Sequence, residues 1–312
     1  MSDIQELKDK LEKTPDDYKV MEDLAIALSD NGDNQEALNY FFKLKDKEPN
    51  NALIYYNIGI ILEKLKFFDK AQAAYEKAYS IDKSNNDIMF NLATSYIKSK
   101  DYDEAIELYN KILETDKEDE NSLFYLGQAY SYKKDHEKAI EALEKAIAID
   151  KDDVIAKFYL AYEHKETGNI EKAIKGYEEV IDKSPDYSWA YFNLASIYLE
   201  KGEEDKASFY LERTIINNPK DIEAIKNIVK IFAKSKKFSA AEKLLKKAAE
   251  EMPMEADVLY LLAKIYKELK NDVNYKKYLD MTIKNSATFT GDIELVKKEA
   301  APLINKNEGS KK

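Results

Sequence analysis

The sequence predicts an all-α solenoid of about eight helix pairs, and three periodic series predict it. Alanine falls every 34 residues without slippage at Ala37, Ala71, Ala105, Ala139, Ala173, Ala207 and Ala241. A second small-residue series keeps the same spacing through Ala25, Gly59, Ala93, Gly127, Ala161 and Ala195, then Val229 and Ala263. A third series is bulky: Leu28, Leu62, Tyr96, Tyr130, His164, Tyr198, Phe232 and Tyr266. Pro15, Pro49, Pro185, Pro219 and Pro253 share one further phase. A fixed period of this length marks a stack of identical supersecondary units, each burying its apolar face only against its neighbours.

Residues 1–17 read as the second helix of an incomplete unit, an N-terminal half-repeat and cap, with Leu7 and Pro15 in phase with Phe41 and Pro49. Eight units follow over residues 18–289, starting at Tyr18, Ala52, Asn86, Glu120, Val154, Ser188, Ile222 and Ala256. In the third, Met89, Leu92, Ala93 and Tyr96 share one helical face, and Ala105, Tyr109 and Ile112 form the face of a second helix. The small residues at positions 8 and 20 let the helices approach closely, and larger ones fill the space beside them. Gly32, Gly168 and Gly202 lie where the first helix needs a left-handed C-terminal cap. Asp33, Asp101, Asp135, Asn169 and Asn271 follow as predicted N-caps, with Glu36 and Glu104 placed for capping boxes. The phased prolines stop each second helix, because proline cannot continue one. The eighth unit is degenerate: Tyr275 replaces the alanine and Ala287 the proline, which predicts a looser pair or a different neighbour. Residues 290–304 read as a C-terminal capping helix, with Ile293, Leu295 and Val296 turned to the last unit, and 305–312 as a disordered tail.

Composition narrows the function. The formal net charge is -11 and the pI about 5.0, which disfavours binding to nucleic acid or to an anionic membrane. The charge is uneven: residues 219–312 carry 20 Lys against 14 Asp and Glu, a net of +6, leaving -17 on residues 1–218. There is no cysteine, so disulfides and thiol chemistry are excluded. Arg213 is the only arginine among 49 basic residues, which together with plentiful Asn, Ile and Tyr reads as codon bias. No apolar run approaches a membrane span, and the polar, acidic start is unlike a signal peptide, so no membrane insertion is expected and the cytoplasm is the default location.

This 34-residue pattern, with small residues at positions 8 and 20 and proline at 32, resembles the tetratricopeptide repeat family over residues 18–289. The resemblance implies a right-handed superhelical α-solenoid whose first helices line a concave face, with positions 2, 5, 6 and 9 pointing into it. Those positions supply the candidate peptide-binding groove: Tyr56, Asn57, Phe90, Asn91, Phe124, Tyr125, Gln128, Phe158, Tyr159, Tyr162, Trp189, Phe192, Asn193, Lys226, Asn227 and Lys230. Asparagine carries a donor and an acceptor, so Asn57, Asn91, Asn193 and Asn227 suit an extended main chain of any sequence. Tyr125, Phe158, Tyr159, Tyr162 and Trp189 form the central aromatic anchor. Phe90, Phe124, Phe158 and Phe192 fit two roles equally, ligand contact or packing between first helices. The family's carboxylate clamp for chaperone tails is not supplied: Glu22 and Asp23 stand in the first unit, and only Lys226, Asn227 and Lys230 resemble part of it.

Catalytic chemistry leaves no trace. The two histidines fall at a packing position, His164, and near a helix start, His136. No metal-binding helix motif, phosphate loop or dinucleotide fingerprint occurs, so neither catalytic residues, cofactor nor metal site is assigned. The expectation is a non-enzymatic scaffold or adaptor that holds an extended segment of a partner protein. The alternative is a structural role through self-assembly into homo-oligomers.

Overall fold

The structure is a computed structural model that describes residues 4–308, with side chains through Pro302. All regular structure among the described residues is helical, and the chain forms two compact units that meet in sequence at Thr167–Gly168. The first unit holds α1 (Ile4–Lys13), α2 (Tyr18–Asn31), α3 (Asn34–Lys47), α4 (Ala52–Lys64), α5 (Phe68–Ile81), α6 (Asn86–Ser99), α7 (Tyr102–Thr115), α8 (Glu120–Tyr132), α9 (His136–Ile149) and α10 (Val154–Glu166). The second holds α11 (Ile170–Lys183), α12 (Ser188–Glu200), α13 (Glu204–Asn217), α14 (Ile222–Lys234), α15 (Phe238–Glu251), α16 (Ala256–Glu268), α17 (Asp272–Lys284), a 3-10 turn (Ser286–Thr288) and α18 (Ile293–Glu308). Within each unit consecutive helices pack on one another, as α4 on α5, α8 on α9, α12 on α13 and α16 on α17.

The periodic series form the core. Ala25, Ala93, Ala105 and Ala139 are fully buried, and Phe41, Tyr75 and Tyr109 of the second helices fill the space those small residues leave. Each such aromatic removes about 150–250 Å² from water, roughly 4–6 kcal/mol at about 25 cal/mol per Å² before entropy is counted. Gly59 shows how close the approach is: a Cβ there would lie 2.4 Å from Tyr75 Cε1.

The turns between paired helices differ from the sequence expectation in a consistent way. Gly32 adopts φ 92°, and the next residue, Asp33, returns its N–H to Leu28 O at 2.8 Å, closing a Schellman turn. Five lysines take the same left-handed conformation at the same phase: Lys66, Lys100, Lys134, Lys236 and Lys270. Asp33, Asp101, Asp135 and Asn169 make no side-chain cap bond; of the five predicted caps only Asn271 does, accepting from Asn274 N. Each of these residues is the last of one turn and the first of the next helix, and at Asp33, Asp101, Asp135 and Asn169 ψ values of 49–71° keep the carboxyl or amide from reaching the next backbone donors. Side-chain caps sit instead at the starts of first helices, at Asp17, Asn51, Asn85, Asp119, Asp153 and Asp221.

At the C-terminal end Tyr275 meets a different neighbour, one of the two expectations for the eighth unit: its ring is buried, and its hydroxyl donates to Glu299 Oε2 of α18 at 3.0 Å. On α18, Val296 and Ala300 are buried while Leu295 is exposed, so the covering face is turned one residue from the expected one. The helix runs on to Glu308, into the segment predicted to be disordered; residues 309–312 lie outside the described residues.

Candidate functional site

In the first unit the predicted wall residues stand on α4, α6, α8 and α10 and are half-buried. Successive helices place position 5 of one repeat against position 6 of the next. Phe90 meets Tyr125 edge-on with centroids 5.4 Å apart, and Phe124 meets Tyr159 the same way at 5.5 Å. Phe124 also touches Tyr125, and Phe158 touches Tyr159, which makes one unbroken row of five rings. Buried Tyr109 of α7 supports the row, against Phe90 at 5.7 Å and stacked on Tyr125 at 6.2 Å. Its hydroxyl shares a hydrogen bond of 3.0 Å with Thr94, a position-9 residue of the same wall. Phe90 and Phe124 therefore do pack between first helices, and their partners are the very tyrosines assigned to the ligand.

The polar members behave less uniformly. Asn91 Nδ2 donates to Tyr56 Oη at 3.2 Å and to Asp87 O at 2.9 Å, so its donors hold the wall together. Burial and the Asp87 carboxylate push the Tyr56 phenol up, against the pull of Asn91. Asn57 and Gln128 make no side-chain hydrogen bond among the described residues, and both are partly exposed. Burial, then Glu166 and Glu163, push Tyr162 up as well. Leu53 and Ile155, at position 2 of their repeats, and Ile26, at position 9, are exposed apolar side chains on first helices.

In the second unit the pattern changes. Trp189 is 58% exposed, and Asn193 of the same helix turns its Nδ2 to Trp189 O at 2.9 Å. Phe192 is half-buried. Lys226 is committed: its ammonium donates to Asp257 Oδ2 at 2.8 Å and to Thr290 Oγ1 at 3.2 Å. Burial raises the Asp257 pKa, but the donors Lys226 and Thr290 outweigh it and hold the carboxyl below its usual range. Asn227 reaches Glu223 of its own helix at 3.5 Å, and Lys230 is exposed. The clamp-like trio Lys226, Asn227, Lys230 thus presents, among the described residues, one cation without an ion pair, Lys230.

Sequence reading missed a buried cluster on α8, α9 and α10. Glu163 is fully buried, accepts from Ser131 Oγ and bonds His136 Nδ1 at 2.8 Å. The serine bonds the carboxylate and not the imidazole, so nothing here activates a nucleophile; the cluster ties three helices together. Its only signal was Glu163 at a core phase. Among the described residues no group of three or more His, Cys, Asp or Glu is arranged to hold a metal, and no helix is long and apolar enough to cross a membrane.

Family profiles described as tetratricopeptide repeat match residues 50–118 and 84–152, 165–230 and 257–287. No curated protein sequence matches. A tetratricopeptide repeat protein from Parabacteroides merdae aligns over 92% of this chain and 98% of its own, at 18% identity and a TM-score of 0.60. YrrB, described as a TPR protein with an unusual peptide-binding site, aligns over 60% of this chain and 96% of its own at 22% identity and a TM-score of 0.50. A chain of the APC/C hetero-tetramer Cut9–Hcn1 aligns over 83% of this chain and 51% of its own at 18% identity and a TM-score of 0.55. With the 34-residue register, the close-packed helix pairs and the matched profiles in agreement, the chain belongs to the tetratricopeptide repeat family.

Proposed function

We propose that the chain is a non-catalytic scaffold that holds an extended segment of a partner protein along α4, α6, α8 and α10. The observation that carries this is the row Phe90, Tyr125, Phe124, Tyr159, Phe158, whose rings are fixed by one another and stay partly exposed. Rings already locked by edge-on contacts lose little freedom when a ligand covers them, so apolar contact there is efficient. Asn57 and Gln128, with uncommitted amides on the same helices, are the groups that read the main chain of the ligand. Trp189, Phe192 and Asn193 form the corresponding patch of the second unit. YrrB, a TPR protein with an unusual peptide-binding site, gives the same reading a precedent within the fold. Asn91 supports the wall in this reading, and Lys226 takes no part.

The test is selection of displayed unstructured 15-residue peptides against the full chain, followed by affinities for Tyr125→Ala and Tyr159→Ala. Each variant is expected to weaken the selected peptides by about tenfold or more, with Asn57→Ala and Gln128→Ala weakening them less. Peptides that bind all four variants as tightly as wild type place the contact elsewhere and refute the reading. An apparent mass that climbs with concentration, with no peptide selected, favours self-assembly.

A further inference from the structure

Charge on the wall of the first unit is one-sided. At positions 2, 5, 6 and 9 of its five first helices only four residues are charged, Lys19, Glu22 and Asp23 on α2 and Asp87 on α6. Lys19 donates to Glu22 Oε2 at 3.1 Å and to Asp23 Oδ1 at 3.0 Å, so one cation is shared between two carboxylates. Asp87 is exposed and has no ion pair among the described residues. These positions carry a net of -2, all of it on α2 and α6, and none on α8 and α10. Farther along the same helices charge cancels: at positions 12 and 13 Asp30, Glu63 and Glu166 stand against Lys64, Lys98 and Lys165. The acids lie on adjoining helices. Lys64 of α4 donates to Ser29 Oγ of α2 at 2.9 Å, and Asn91 of α6 donates to Tyr56 Oη of α4 at 3.2 Å.

We propose that the segment held by this wall is a basic one, with Lys or Arg side chains seated at Glu22, Asp23 and Asp87 and apolar side chains on the ring row. This rests on the peptide-holding role proposed for the wall and adds the class of peptide. Carboxylates at a partly exposed site complement ammonium or guanidinium donors, and such bonds are stronger than those between neutral groups. Exposed Ile26, one turn on from Glu22, gives the aliphatic stem of Lys or Arg an apolar surface to lie on. The charges acting on the wall's phenols have the same sign. After burial, what pushes up Tyr56 is Asp87, and what pushes up Tyr162 is Glu166 and then Glu163. An acidic segment would meet three carboxylates and a lysine that two of them already hold, so the wall discriminates by repulsion as well as attraction. At longer range residues 1–167 carry 36 Asp and Glu against 23 Lys, a net of -13, which draws a basic segment toward this unit.

The probe is a displayed library of unstructured peptides, selected against the full chain at about 0.1 M salt. Enriched peptides are expected to carry several Lys or Arg grouped to one side of an apolar stretch. Their affinity is expected to fall about tenfold in Glu22→Gln/Asp23→Asn/Asp87→Asn, and to fall in Tyr125→Ala as well. Raising the salt to about 0.5 M should weaken binding to wild type far more than binding to the neutralised variant. The three substituted side chains are at least partly exposed and keep their shape, so the thermal melt should stay close to wild type. In Glu22→Lys/Asp23→Lys, selection is expected to turn to peptides with Asp or Glu on that side. Peptides that need Tyr125 but lack the basic group, or that bind the neutralised variant as tightly as wild type, overturn the proposal and leave the wall's peptide-holding role intact. Basic peptides that bind Tyr125→Ala undiminished overturn both, since the acidic surface at large would then hold them. A selection that enriches nothing overturns both as well.

Discussion

At the inner positions of residues 52–167 rings rest on rings, whereas at the same positions of residues 222–290 an ion pair has taken over. Phe90, Tyr125, Phe124, Tyr159 and Phe158 form a continuous row in the first region. In the second, Lys226 of α14 is bonded to Asp257 at the start of α16 and to Thr290, and Tyr260 turns to Phe289 at 5.2 Å. The helices beneath are alike, with Ala93 and Ala105 matched by Ala241 and Ala263, all fully buried. The difference teaches that the repeat constrains positions 8, 11, 20 and 24, which face other helices, and leaves positions 2, 5, 6 and 9 free to diverge. On the proposed reading, recognition sits where the register is silent.

If that division holds, the core positions are the most sensitive to change. Gly59→Ala is expected to cost about 2–3 kcal/mol, because its Cβ would fall within 2.9 Å of three Tyr75 ring atoms and that ring is fully buried. Tyr159→Ala, on the half-buried wall, is expected to cost less while weakening ligand more. Denaturant melts of both variants check the order. A wall substitution that destabilises more than Gly59→Ala would mean that the wall is core and that the comparison has been drawn at the wrong line.

The ion pair gives a smaller effect with its own pH signature. Asp257 is held below its ordinary pKa in the folded chain, so its contribution is full above about pH 4 and is lost as pH falls through the folded value. Lys226→Met removes the largest stabilising partner but leaves Thr290 N and Oγ1 on the carboxylate, at 3.1 and 2.7 Å. The expected loss is about 1–2 kcal/mol at neutral pH, discounted because Lys226 is one-third exposed. Once the pH lies below that folded value the two proteins are expected to converge. A variant that stays less stable by the same margin at low pH would show that the lysine stem, and not its charge, holds α14 to α16.

Much of the fold was legible because a repeat samples each position eight times. The small residues at positions 8 and 20 have no reading other than close helix approach, and the phased prolines bound the second helices. The wall was legible as a set of positions but not as a set of roles. Asn91 and Asn57 are identical in sequence and register, yet only Asn91 has a tyrosine, Tyr56, at position 5 of the preceding repeat to bond; for Asn57 that position is Glu22. The role of a wall residue thus depends on its neighbour 35 positions earlier. The buried Glu163 cluster escaped because its partners Ser131 and His136 come from two other helices. The turn lysines escaped for a different reason: lysine carries no backbone preference that announces a left-handed residue, as glycine does.

Those lysines supply the smallest prediction and the most general one. Gly32, Gly168 and Gly202 alternate in phase with Lys66, Lys100, Lys134, Lys236 and Lys270, all at positive φ. A non-glycine residue there costs about 1–2 kcal/mol through its Cβ, and glycine returns about 0.5–1 kcal/mol of that as extra freedom of the unfolded chain. Lys100→Gly is therefore expected to stabilise by about 0.5–1 kcal/mol, whereas Lys98→Gly, two residues earlier inside α6, should destabilise. The pair cancels any general effect of removing a cation. Lys98 also bonds Glu63 and Lys133 bonds Asp103, so the firmer reading is of Lys100→Gly and Lys134→Gly, neither of which removes an ion pair among the described residues. Should Lys100→Gly and Lys134→Gly both lower stability, each lysine must contribute a contact worth more than its strained backbone, and the turn edge would join positions 2, 5, 6 and 9 as a surface the register leaves free to specialise.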